Sequence, residues 1–437
     1  MEPKTITLFW HRRDLRMADN AGLFKALKHG LPVQPVFVFD TTILDQLPRN
    51  DQRVLFIHQE INALKQQYRE WGSDLLVVAG NPVDQIPKLA KELHAHTVFT
   101  NRDYEPYALQ RDKQLAEILS KESVEFVGAK DHVIFEKGEV LKADGKPYTV
   151  FTPYMRRWKE QLTSFYTASY PVEKYAGNLR KLSGLLTCPS LEELGFSADQ
   201  TVVFPDRIPP VEIIRNYHET RDIPSVEGTS RLSLHLRFGT VSIRTLVRLA
   251  QAAGEKFLNE LIWRDFYQMI IFHFPQSVTQ AFKPEYDRIE WEHNEEHFRC
   301  WREGKTGYPL VDAGMRELNA TGHMHNRVRM VTASFLTKHL LIDWRLGERY
   351  FAEKLLDFEL ASNVGGWQWA ASSGCDAAPY FRVFNPTLQQ EKFDPKCEYI
   401  RKWVPEFGTE TYPKPIVDHA FARERVLARY KSGLSNK

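Results

Sequence analysis

The sequence predicts a two-part molecule. An α/β domain with a doubly wound, Rossmann-like parallel sheet comes first, and a large all-α domain follows. Three observations carry this. Over the first 130 residues, β-rich apolar runs alternate with helix-period segments, the signature of βαβ units. From about residue 205, helical periodicity takes over and aromatic residues become dense. At 437 residues the chain is also too long for one small domain.

In chain order, TITLFW (5 to 10) reads as a buried strand and AGLFKALKHG as a helix with a glycine stop. VQPVFVFD is a second strand, and QRVLFIHQEINALKQQYREWG a long amphipathic helix ending at Gly72. DLLVVAG is a third strand, PVDQIPKLAKELHA a helix, and TVFTN a fourth strand. No GxGxxG or GxxxxGK[ST] accompanies this rhythm, so the usual dinucleotide and P-loop readings lack support. Residues 131–204 lose the pattern, with Pro, Gly and Ser recurring, and read as a connector draped over the surface. The expected domains are therefore 1–130, the connector 131–204, and an all-helical domain 205–437.

Charge and cysteine usage narrow the class. The formal net charge is only +2, so a nucleic-acid partner would need a local basic surface. Four scattered cysteines show neither a disulfide framework nor metal-ligand spacing, and no metal is expected. The opening MEPKTITLFWHRRDLR lacks an apolar signal region, and no run approaches a membrane span. A cytoplasmic, monomeric protein is expected. Ten tryptophans are the unusual entry, most of them after residue 250.

Four stretches hold chemistry. In EGTSRLSLHLRFGTVS, Thr229, Ser230 and Ser233 place hydroxyls and amides before a helix, and Arg231 adds charge. Such a loop suits a phosphate, although a plain Ser/Thr cap has the same look. In NELIWRDFY, Glu260, Trp263, Arg264 and Tyr267 share one helix face. That face is either the wall of a polar-aromatic cavity or a packing stripe with a Glu260–Arg264 pair. In MHNRVRM, Asn326 and Met330 lie one turn apart, and the amide suits a base edge or a flavin ring. In ASNVGGWQW, Asn363 precedes two glycines that permit close approach of a flat ligand, and the nearby Asp357 is placed to pair with a helix-borne arginine. Trp291, Trp344, Trp367 and Trp369, with Trp263, add redox-active indoles.

Taken together and in order, these stretches resemble the photolyase/cryptochrome family, and within it the class I-like cyclobutane pyrimidine dimer photolyases. WHRRDLRMADN, YTVFTPYMRRW, GKTGYPLVDAGMRELNATG, LLIDWRLGERYF and KFDPKCEYIRKWVPE extend the likeness from end to end. The resemblance implies FAD in the helical domain, active in its reduced form. Tyr217, Thr229, Ser230, Arg231, Leu232 and Ser233 match the segment that holds FAD and its phosphates. Arg264, Arg329 and Asp357 match further flavin-pocket positions, and Asn363 the residue facing flavin N5. The implied reaction is light-driven repair of pyrimidine dimers in DNA, on a lesion flipped out of the stack. Glu260 and Asn326 match residues that hydrogen-bond the dimer. Trp263, Trp369 and Met330 match the lesion pocket, and Trp367, Trp344 and Trp291 a relay that reduces the flavin. Asn326 and Met330 stand where (6-4) photolyases carry catalytic histidines, which favours cyclobutane dimers.

Two departures follow. His323 replaces the family's usual tryptophan. Tyr107-Ala108 replaces the Asn-Glu pair expected of a folate antenna, so a deazaflavin, another flavin or no second chromophore remain open. The rival class is a cryptochrome-type blue-light sensor. It would lack Glu260, Asn326 or Trp369, and all three are present. An ordinary flavin oxidoreductase would need a dinucleotide fingerprint.

Overall fold

The first structural unit is built on five parallel strands. In the computed structural model, which describes residues 5–197 and 202–435, these are β1 (Ile6–His11), β2 (Val33–Asp40), β3 (Leu76–Gly80), β4 (Ala95–Asn101) and β5 (Glu125–Ala129). Their order in the sheet is β3-β2-β1-β4-β5. Trp10 pairs with Val36 on one side and Thr100 on the other, so β1 is central. Alternation along the strands sends Phe9, Phe37, Phe39 and Phe99 into one apolar layer and Leu8, Trp10, Val36 and Val98 into another. Both faces of the sheet are thus covered, as a parallel sheet requires. Helices Ala21–Lys28, Gln52–Glu70, Pro82–Glu92 and Pro106–Lys121 connect the strands. Asn20, Asp51 and Asn81 cap the first three through side-chain oxygens. β5 and the helix before it were not expected, because EFVGA is short and carries a glutamate and a glycine.

By internal packing the chain divides into Met1–Glu139, Trp158–Pro209 and Arg231–Ala252 as one unit, and Val140–Arg157, Pro210–Ser230 and Ala253–Lys437 as the other. Residues 198–201 lie outside the described residues, and the described residues of 131–204 are not a surface strap, contrary to the reading of their composition. They include a helix, Phe151–Gln161, and bury Trp158, Val172, Leu179 and Phe196. Phe151, Tyr154 and Trp158 recur at helical spacing, a periodicity that the flanking Pro and Gly obscured.

The second unit has no strand among its described residues. Its core gathers Trp301, Tyr308, Leu310, Leu318, Leu336, Trp344, Phe351 and Trp367. The principal helices are Glu255–His273, Pro309–Thr321, Asn326–Ser334, Trp344–Lys354, Leu360–Ala370 and His419–Ser435. Gly322 ends the second of them at φ +68°, a conformation most side chains avoid. Among the described residues, no helix is long and apolar enough to cross a membrane.

Candidate functional site

The Glu255–His273 helix supplies the polar-aromatic face expected from sequence, but its charges choose distant partners. The Arg264 guanidinium bonds Glu359 at 3.0 Å, and both are buried. Glu260 instead accepts from Nη1 of Arg221. The same-helix Glu260–Arg264 pair therefore gives way to two tertiary pairs. Burial raises the Glu260 pKa, and the Arg221 charge opposes that rise. Trp263 lies flat against Phe151, with centroids 3.7 Å apart and planes 5° from parallel. This stack fixes the indole plane, and the Phe151 amide is in turn bonded to Asp376 at 3.1 Å. Phe151 is 112 positions away in sequence, so no local pattern could have shown the contact.

The Asn326–Ser334 helix starts at His325, whose ring accepts from the Arg327 amide at 3.2 Å. Burial pushes the His325 pKa down to about 4, so the ring is neutral and can accept. Asn326, the first helical residue, is exposed. Met330 is half-buried one turn on, with its sulfur 3.6 Å from Arg327 Nη1. Arg327 reaches Asp222 at 2.7 Å and lies over the Phe393 ring at 4.3 Å. Arg329 pairs with Asp357 at 2.9 Å, the arginine partner anticipated for that carboxylate. His323, the departure from the family pattern, sets Nδ1 3.4 Å from Glu317, which also accepts from Tyr399 at 2.6 Å.

The Leu360–Ala370 helix contains the Asn-x-x-Gly-Trp-x-Trp stretch. The Asn363 amide nitrogen donates to Glu348 twice, at 2.8 Å to the carboxylate and 3.1 Å to the backbone carbonyl. Gly366 lies one turn further along, and a Cβ there would meet nothing within 4 Å. Asn363 and Gly366 thus share a face where bare backbone is open beside an amide. Trp367 is buried, edge-on to Phe351 at 4.9 Å and to Trp301 at 6.0 Å. Gly347, three residues after Trp344, comes so close that its missing Cβ would sit 2.1 Å from the Trp367 ring. Trp344 is buried beside the Arg345 guanidinium, and Trp291 is edge-on to Tyr430 at 6.2 Å. Trp369, two positions after Trp367, is half-buried near Phe384 at 6.2 Å. Two-residue spacing on a helix does turn these indoles apart.

FAD needs a flat apolar-polar slot and anchors for its phosphates. The Asn363–Gly366 face offers the first, because a planar ring can reach the helix backbone where no side chain stands. Tyr217, Thr229 and Ser230 belong to the helical unit. Tyr217 carries the Arg221 guanidinium over its ring at 5.2 Å, and the loop lays Gly228 on Thr220. Arg231, Leu232 and Ser233 group with the other unit. There Arg231 is exposed with φ +49°, Leu232 is buried, and Ser233 opens a six-residue helix. The residues present therefore fit the group. Sequence reasoning did not single out Arg221, Phe151, Glu348 or Glu359, each of which touches a candidate residue, nor Asp222, which pairs with Arg327.

Comparisons with known proteins agree with this chemistry. Residues 7–174 match the family model described as DNA photolyase, and residues 257–410 the FAD binding domain of DNA photolyase. The deoxyribodipyrimidine photo-lyase of Halobacterium salinarum is 38% identical over 97% of this chain and 98% of its own. A bacterial class III photolyase from Agrobacterium tumefaciens superposes with a TM-score of 0.87 at 32% identity, covering 99% of this chain and 98% of that one. An archaeal photolyase from Sulfolobus tokodaii, solved with two FAD molecules, gives 0.82 at 33% identity over 98% of this chain and all of that one. Two family models that together span most of the chain, and a full-length relative well above 30% identity, leave one assignment: this chain belongs to the DNA photolyase family.

Proposed function

We propose that the chain is a deoxyribodipyrimidine photo-lyase that repairs cyclobutane pyrimidine dimers in DNA under blue light. The observation that carries the reading is the pair of polar groups offered by Glu260 and Asn326 in the helical unit: a partly open carboxylate paired with Arg221, and an exposed amide next in sequence to Arg327, on helices that also bear Trp263 and Met330. Reduced FAD, when bound, would supply light-driven one-electron donation for opening the cyclobutane ring, with no net redox change.

The protein's residues hold both partners. Glu260 and Asn326 offer hydrogen bonds to the carbonyl and imide edges of the two bases. Those bonds strengthen as negative charge develops there, which favours splitting. Trp263, held flat by Phe151, and Trp369 wall the pocket with apolar faces that keep water from the bases. Asn363 spends its N–H bonds on Glu348, so its carbonyl oxygen is left for the flavin. That oxygen can accept from N5–H but has no proton to give. Arg264, Arg329, Asp357, Tyr217, Thr229 and Ser230 of the helical unit hold the cofactor. Trp367, Trp344 and Trp291 pass electrons inward to reduce it.

The reading has the chain acting as a monomer in the cytoplasm, where Cys188, Cys300, Cys375 and Cys397 stay free thiols. The second-chromophore reading keeps three alternatives: a deazaflavin, another flavin, or none. The test uses a nuclease that cuts only at pyrimidine dimers. After incubation with pre-reduced protein under blue light, damaged DNA should lose its cut sites, and in the dark it should keep them. Equal cutting in both would reject the reading.

A further inference from the structure

Four charged side chains of the helical unit stand in one alternating row. Glu260 accepts from Arg221 Nη1; Arg221 Nε lies 3.9 Å from Asp222 Oδ1; and the same Asp222 oxygen accepts from Arg327 at 2.7 Å and 3.2 Å. The row sums to zero. All four side chains stay open to water, from 18% exposed for Arg327 to 42% for Asp222, whereas the Arg264–Glu359 pair is at 8% and 7%. Each guanidinium also rests on an aromatic face, Arg221 on Tyr217 and Arg327 on Phe393.

This arrangement creates a conflict for the proposed reaction. A base edge needs the Glu260 carboxylate, and Arg221 already has one of its oxygens. Both side chains keep part of their surface in water, 24% exposed for Arg221 and 29% for Glu260, so the bond can exchange if another anion receives the guanidinium. DNA brings such an anion, since phosphate takes a guanidinium through paired hydrogen bonds.

Resting on the reading that Glu260 meets the lesion, we propose that Arg221 is an exchangeable cap on Glu260. It is transferred to a backbone phosphate as the damaged bases enter, while Asp222 keeps Arg221 and Arg327 together as a two-guanidinium clamp. Base contact and phosphate contact then become one coupled step. Undamaged pockets stay neutral and capped, and a dimer without phosphates must compete with Arg221 unaided. Asp222 is a positioning residue, acting through the two arginines.

The test compares two probes on FAD-loaded protein: a thymine cyclobutane dimer as the free base pair, and a single-stranded oligonucleotide containing one dimer. Arg221→Gln should bind the oligonucleotide about tenfold more weakly, with a log–log salt slope shallower by about 0.7. The same variant should bind the free dimer more tightly than wild type, because Glu260 is uncapped. Arg221→Lys keeps the charge without the fork and should retain the salt slope, which covers the case that Arg221→Gln loses FAD. Asp222→Asn should weaken oligonucleotide binding and shrink the further loss caused by Arg221→Gln. Weaker or unchanged free-dimer binding in Arg221→Gln, or an unchanged salt slope, would overturn the exchange. Wild type that binds neither probe would instead sink the functional reading beneath it.

Discussion

The α/β unit and the helical unit treat charge in opposite ways. In the first, Asp131 is wholly buried and fully used: it binds Arg16 at 2.7 Å, Arg244 at 2.8 Å and the Ala21 amide at 3.0 Å. Burial alone would raise its pKa, but the two guanidiniums hold it well below the carboxylate range. Asp19 adds a second acceptor to Arg244 at 2.9 Å. In the second unit, Glu260, Arg221, Asp222 and Arg327 form pairs that water reaches. Closed networks fix the shape of a scaffold, because breaking one strands a charge in a dry interior. Open ones can change partners at small cost, which a binding pocket needs.

The largest expected effect comes from breaking a closed network. Asp131→Ala leaves Arg16 and Arg244 without their shared carboxylate and should cost about 3–5 kcal/mol, read by denaturant unfolding. The pH dependence has a definite sign. A carboxylate whose folded pKa is depressed stabilises the protein above its unfolded value near 4, and that contribution fades as pH falls towards the folded one. Wild-type stability should therefore drop on acidification below about pH 4, and Asp131→Ala should lack that part of the drop. A slope unchanged by the substitution would contradict the assignment.

Packing comes next. Gly347→Ala drives a methyl into the Trp367 ring and should cost about 1–3 kcal/mol. It should also alter the near-ultraviolet circular dichroism of the indoles; an unperturbed, equally stable variant would mean the helices are not so close. Trp367→Phe removes the redox-active ring while keeping an aromatic. Photoreduction of oxidised flavin should stop, and repair by chemically pre-reduced protein should continue. Photoreduction at the wild-type rate would take Trp367 out of the relay.

The smallest stability change belongs to the open pair. Glu260→Ala should shift unfolding by less than about 0.5–1 kcal/mol and leave FAD bound, yet lower repair severalfold. A large stability loss would place Glu260 with the closed networks and erase the contrast between the units.

The same contrast explains what the sequence made legible. Four strands were readable because β-branched and aromatic residues concentrate in them, as in the VFVF end of VQPVFVFD. β5 was not, because EFVGA takes its strand state from pairing with β4 rather than from propensity. Glu260, Trp263, Asn326, Asn363 and Trp367 were readable as members of ordered motifs. Their partners were not. Glu348 meets Asn363 only because two helices lie side by side, and Phe151 reaches Trp263 from another part of the chain. Spacing on one helix suggested a Glu260–Arg264 pair, and tertiary partners outcompeted it. Local pattern nominates candidate side chains, while long-range packing decides what each one touches.

The central claim is that the helical unit holds a lesion against reduced flavin and splits it with light. The most direct measurement follows thymine absorbance of a dimer-containing single strand during blue illumination with pre-reduced wild-type protein, beside Glu260→Ala. The account predicts light-dependent recovery of absorbance for wild type and a severalfold lower yield per photon for the variant. A yellow, FAD-retaining protein that restores no absorbance under light would contradict it.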